Sequence, residues 1–289
     1  GQSNCEVCSR GRRNMLEALK VIFLGIVEGI TEWLPISSTG HLILVEEFVK
    51  LSLRHEFVEM FNVVIQFGAI LAVILIYFNK LNPFSAKKSE KQKMMTIQLW
   101  IKVIIATLPA MVIGLLFDDF VDEHFMNAYV VAAMLIIYGI LFIVIEKKHE
   151  GVTPQATKLS QLTIPMALAI GGFQVLAMIP GTSRSGATIL GGLIIGASRS
   201  VAAEFTFFLA IPVMFGWSLL KMLKFGFAFT GQEFFLLLLG CVVSFVVSIF
   251  VIKFLMQYIK KHDFKVFGYY RIVLGVIVFL YFTVSALLA

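Results

Sequence analysis

Six stretches of this 289-residue chain, at about 61–78, 97–117, 128–145, 202–220, 234–258 and 268–288, are apolar over enough length to cross a bilayer as helices. A hydrocarbon core of about 30 Å takes roughly 20 helical residues. The loops between the runs are short and none carries a core of its own, so residues 15–289 read as one all-α polytopic membrane domain. Composition agrees, with a mean hydropathy of +0.91 and only 15% charged residues, against roughly 25% in soluble domains. The net charge of +6 does not point to nucleic acid, because the basic residues cluster at the ends of the apolar runs, where Lys and Arg set topology. The three cysteines make no disulfide framework: Cys5 and Cys8 stand in a polar leader, GQSNCEVCSRGRRN, and Cys241 in mid-span. Met15 reads as the native start, with residues 1–14 an appended scar or a disordered leader.

Charge in the loops orients the spans. Lys80, Lys87, Lys88, Lys91 and Lys93 in the loop at 79–96, and Lys147, Lys148 and Lys158 at 146–160, place those loops in the cytoplasm. DDFVDEHFMN at 118–127 has four acids and no Lys or Arg, which suits the outer face. Two further apolar segments, 16–50 and 162–197, are broken by Pro, Gly and hydroxyl clusters, PISSTGH in one and PGTSRSGATI in the other. Unwound backbone at membrane depth must be satisfied by protein or by a water-filled cavity, so each reads as a re-entrant helical hairpin. The first then lies on the outer side, and the second on the inner side beside the basic loop at 260–265.

The interrupted segments also resemble each other. PISSTGHLIL aligns with PGTSRSGATIL after one insertion, and Glu59 and Glu204 each follow the corresponding Pro35 and Pro180 by 24 residues. The halves 15–145 and 160–289 each count one hairpin and three spans, and an odd number of spans inverts the second half relative to the first. This is the inverted-topology repeat, in which broken helices meet near the midplane.

Both hairpins carry chemistry that a bilayer does not accept without reason. Glu28 and Glu32 are one helical turn apart, on one face, with Ser37, Ser38, Thr39 and His41 just beyond. An acid at the bilayer centre costs about 2.5 to 3.5 kcal/mol on insertion scales, which makes it a candidate site; the plain alternative is a helix end wetted at the interface. In the second hairpin Gly181 and Gly186 permit close backbone approach, while Thr182, Ser183, Ser185 and the amides of a helix start can donate to an anion that Arg184 clamps. Its plain alternative is a packing corner with a snorkelling arginine. Brought together, the two make a constellation for phosphoryl transfer.

EGITEWLPISSTGH with PGTSRSGAT resembles the two signature motifs of the bacterial undecaprenyl-diphosphate phosphatases, the bacitracin-resistance family, and the similarity runs from Met15 to the C-terminus. The resemblance implies a plasma-membrane enzyme that removes the terminal phosphate of the C55 isoprenoid diphosphate and regenerates the monophosphate carrier for peptidoglycan. It implies essential roles for Glu28, Glu32, Ser38, His41 and Arg184, with Ser37, Thr39, Ser183 and Ser185 nearby, and an association with divalent cations. Glu28 and Glu32 offer the oxygen ligands that Mg²⁺ or Ca²⁺ prefers; one of them is alternatively a general base. The nucleophile stays open between Ser38, His41 and water, with Ser38 partnered by His41 favoured. His55, His124, His149 and His262 lie in expected loops. The cavity is expected to open outward, with a lateral gap for the prenyl tail. The rival of another class is a lipid transporter or flippase, which uses the same repeat architecture. Homodimer formation is left open.

Overall fold

The computed structural model describes residues 2–289, with side chains from Val7 onward. Among the described residues the architecture is all helical: α1 (Gln2–Thr31), α2 (Ser38–Phe48), α3 (His55–Val64), α4 (Gln66–Ile76), α5 (Phe78–Leu81), α6 (Glu90–Phe125), α7 (Ala128–Lys148), α8 (Ile164–Val175), α9 (Arg184–Ile194), α10 (Arg199–Phe225), α11 (Gly231–Tyr258) and α12 (Lys265–Leu288). Six units are long and apolar enough to span a membrane, namely His55–Ile76 (α3 with α4), α6, α7, α10, α11 and α12, and they coincide with the six expected runs. The two interrupted segments are each a helix, a break and an 11-residue helix.

The helices begin where polar caps stand. Ser89 and Gln92 close a reciprocal capping box on α6, Thr230 and Glu233 do so on α11, and Asn127, Thr163 and Ser198 cap α7, α8 and α10. The leader departs from expectation. Helix continues unbroken from Gln2 into α1, with no proline in the leader to interrupt it. Cys8 is exposed and free, and the side chain of Cys5 lies outside the described residues.

Lipid provides no hydrophobic drive between helices, so close crossings rest on small residues and polar ties. Between α7 and α12 a Cβ added to Gly139 would stand 2.7 Å from the Gly268 carbonyl oxygen, and one on Gly268 would stand 2.6 Å from that of Gly139. Two buried acids tie helix ends. Glu146 takes Arg199 on both oxygens and the Phe264 amide, joining α7, α10 and the start of α12. Glu233 takes Arg54 bidentately at 2.7 and 2.6 Å, joining the start of α3 to α11. Trp33, Phe205, Phe207 and Phe208 lie in the central core, while the exposed Phe, Leu, Ile and Val residues on α6, α11 and α12 form an apolar exterior. Glu59 and Glu204 do not share an environment: Glu59 is exposed beside His55, whereas Glu204 is largely covered and paired with Lys80.

Candidate active site

The two breaks are built alike. Ser37 and Ser183 are the N-caps of α2 and α9, and their hydroxyls accept from the amides of Gly40 and Gly186, each at 3.1 Å. Both serines hold a left-handed backbone, φ 71° at Ser37 and φ 77° at Ser183. A non-glycine residue held there costs on the order of 1–3 kcal/mol and persists only when its surroundings fix it. Gly181 sits at φ +92°, and a Cβ there would come within 2.5 Å of the Val131 carbonyl oxygen, so only glycine fits.

Arg184, the first residue of α9, reaches across to the other motif. Its Nε and Nη2 donate to one Glu32 oxygen at 3.2 and 3.1 Å, its Nη1 donates to the Thr206 carbonyl, and its guanidinium lies 5.9 Å from the Trp33 ring centroid. Glu28 is fully buried one turn earlier, within electrostatic reach of Glu32 and Arg184, with Gln66 as its polar neighbour. Among the described residues neither of its carboxylate oxygens has a donor in well-formed hydrogen-bond geometry, the Gln66 amide included. Gln66 is held there by the interruption between α3 and α4 at Ile65.

His41, on α2, has both ring nitrogens engaged. Nδ1 faces the Ser37 carbonyl at 2.7 Å and so carries a proton, Nε2 meets the Tyr270 hydroxyl at 2.6 Å, and the two rings stack with centroids 5.5 Å apart. Neither nitrogen bonds Ser38, so the expected serine–histidine pair is not hydrogen-bonded here. The hydroxyls of Ser38 and Thr39 have no partner among the described residues. Ser183 and Ser185 share a 3.1 Å hydrogen bond, and Ser185 also donates to the Leu34 carbonyl of the first break. Thr182 is fully buried next to Tyr138.

Four contributors escape the motif reading. Arg271, fully buried on α12, donates to the carbonyls of Pro35, Gly181 and Thr182 at 3.1, 2.9 and 2.9 Å, with longer bonds to Met134 and Leu135. It joins the two breaks through backbone oxygens. Gln66, Tyr270 and the Thr206 carbonyl complete the surroundings. Arg271 and Gln66 had a signal in the sequence, since each is a polar residue inside an apolar span; Tyr270 and Thr206 had none.

Glu28 and Glu32 suit a hard divalent cation in donor type, because the buried Glu28 carboxylate has lone pairs that no donor among the described residues meets in well-formed geometry. No cluster of three or more His, Cys, Asp or Glu occurs among the described residues. Any cation here would therefore be completed by substrate oxygens or water, as is usual for Mg²⁺ at phosphate sites.

The family model described as bacitracin resistance protein BacA matches residues 21–277, which takes in both breaks, the first five spanning units and the first half of α12. The chain belongs to this family. Members similar to it include a protein of Desulfitobacterium hafniense, 62% identical across 95% of this chain and 99% of its own length. One of Acetivibrio thermocellus is 62% identical across 93% and 98%, and one of Enterococcus faecalis 61% identical across 92% and 98%. All three carry the name undecaprenyl-diphosphatase.

Proposed function

We propose that this chain is an integral membrane phosphatase that hydrolyses undecaprenyl diphosphate to undecaprenyl phosphate and inorganic phosphate. In doing so it recycles the lipid carrier for peptidoglycan synthesis and confers bacitracin resistance. The observation that carries the reading is Arg184 from the second break lying on Glu32 from the first, with the names of its relatives giving the substrate.

In the reaction an oxygen or nitrogen nucleophile attacks the terminal phosphorus, the bond to the bridging oxygen breaks, and the prenyl monophosphate leaves with the electron pair. Where the nucleophile is Ser38 or His41, water then attacks the phosphoenzyme, breaks its bond to the side chain and releases inorganic phosphate. Such transfers depend on positioning and on neutralising charge at the non-bridging oxygens. Arg184 supplies that charge, and Glu32 and the Thr206 carbonyl hold its fork in place. Ser38 and Thr39, with hydroxyls free at the start of α2, are the donors or nucleophile nearest His41 in sequence. His41, anchored at Nδ1, has Nε2 as the nitrogen able to exchange a proton once the Tyr270 hydroxyl moves aside. A Mg²⁺ or Ca²⁺ ion held by Glu28 and Glu32 would polarise the phosphoryl oxygens.

The breaks are read as tips of re-entrant hairpins in an inverted repeat. In support, each 11-residue second arm is capped by a left-handed serine, and exchanging the halves exchanges the helix pairs: α1 packs on α11 as α8 packs on α6, and α7 packs on α12. With the lysine-rich loops inside, the site opens to the outer face of the bacterial plasma membrane. The prenyl tail stays among the apolar helices.

The deciding experiment is phosphate release from a prenyl diphosphate by the purified chain in detergent, with and without EDTA, beside Glu32→Ala and Arg184→Ala. Release that both substitutions abolish in folded protein supports the reading, and the EDTA arm decides whether a cation is needed. No release under any metal condition from folded protein would overturn it in favour of lipid transport.

A further inference from the structure

A cavity of about 800 Å³ lies at the lysine-rich end of the bundle, lined by no residue of either break, between the turn after α5, the first third of α6, the segment at 157–160 and the start of α10. Five lysines line it, Lys80, Lys87, Lys88, Lys102 and Lys158, against a single acid, Glu204. Lys80 neutralises that acid, with Nζ 2.9 and 3.0 Å from its two oxygens. Lys88 donates to the Asn82 carbonyl and the Thr96 hydroxyl, so it is anchored but keeps its charge uncompensated. The ammonium groups of Lys87, Lys102 and Lys158 have no partner among the described residues.

Lys102 is the telling member. It stands twelve residues into α6, about 18 Å along the helix from its start at a rise of about 1.5 Å per residue. It is half-buried, Leu99 one turn before it is part of the cavity wall, and Ile97, Ile101 and Ile104 on the same stretch are exposed. An unpaired ammonium at the edge of an apolar exterior is expensive unless it meets an anion. Met95, Leu99 and Val201 supply apolar wall beside the charges. A soluble anion has no use for such a surface, whereas a lipid has a phosphate for the lysines and chains for the isoleucines.

We propose that this cavity binds the phosphate headgroup of an anionic membrane lipid from the inner leaflet, separately from the catalytic site. Basic pockets between helix ends on the cytoplasmic side are known to serve this purpose. Lys87, Lys102 and Lys158 hold the phosphate, Lys88 preorganises the wall, and the acyl chains lie along the exposed face of α6.

The test is retention of phosphatidylglycerol by the full chain in a mild nonionic detergent, read by native mass spectrometry and by the shift in thermal melting, with phosphatidylcholine and inorganic phosphate as separate arms. Wild type should retain and be stabilised by phosphatidylglycerol alone. Lys87→Gln/Lys102→Gln/Lys158→Gln should bind it on the order of a hundredfold more weakly while keeping its phosphatase rate. Glu32→Ala should retain the lipid like wild type, which separates this cavity from the substrate site. Should the triple variant fail to fold, Lys102→Gln alone should weaken binding about fivefold. Unchanged retention in the lysine variants overturns the proposal, as does equal stabilisation by phosphatidylcholine. A melting shift from millimolar inorganic phosphate that matches the lipid's also overturns it, making the ligand a soluble phosphate.

Discussion

Arg184 and Arg271 are both largely buried arginines that join the two breaks, yet their partners differ in kind. Arg184 meets the Glu32 carboxylate as well as the Thr206 carbonyl, whereas the hydrogen bonds of Arg271 go to carbonyl oxygens. Arg184→Lys keeps the charge but loses the planar fork that spans Glu32 and Thr206. The expected result is a fall in kcat on the order of 10²–10³ with little change in melting, measured by phosphate release and by calorimetry. Arg271→Gln leaves several buried carbonyls without a donor. It should destabilise the protein by about 3 kcal/mol, seen as a lowered melting temperature, with activity falling because the breaks lose their common tie. Glu28 and Arg184 could be picked out from the sequence as ionisable residues in apolar surroundings. That Arg184 lands on Glu32 while Glu28 stays unsatisfied could not, because the choice depends on a contact across 152 residues.

At the scale of elements, the hydroxyl clusters after Pro35 and Pro180 work chiefly as helix starts. Ser37 and Ser183 combine a capping hydroxyl with a backbone conformation that suits glycine. Ser37→Ala loses the cap and keeps the unfavourable φ, while Ser37→Gly loses the cap but relieves the backbone. The alanine variant should therefore be less stable than wild type by about 1 kcal/mol or more, and the glycine variant closer to wild type, in thermal melts of the two side by side. The contact of α7 with α12 admits no side chain at its crossing, so Gly268→Leu should push the helices apart and sharply lower the yield of folded protein on size-exclusion chromatography. Caps and breaks were readable from local chemistry. The crossing was not, since glycines in apolar runs carry no mark of which helix they will meet.

Over the whole molecule, the two acid-centred clasps hold the helix ends. Arg199→Ala would strand the buried Glu146 carboxylate and is expected to destabilise the protein by roughly 3 kcal/mol, measurable as an earlier thermal transition. In a background with Cys5, Cys8 and Cys241 replaced, an impermeant thiol reagent applied to intact cells should label Asp122→Cys, and should label Lys158→Cys only after permeabilisation. Labelling of Lys158→Cys from outside would reverse the assigned sidedness. The amino-acid sequence by itself determined the six spans, the two breaks and the chemical types gathered at them, because a bilayer imposes length and polarity rules that act on each segment separately. Only the tertiary structure decided that Arg184 crosses to Glu32, that Arg271 binds both breaks through their carbonyls, that His41 leans on Tyr270 rather than on Ser38, and that the loop lysines enclose a cavity. Each of these depends on contacts between distant segments, which leave no local pattern in the order of residues.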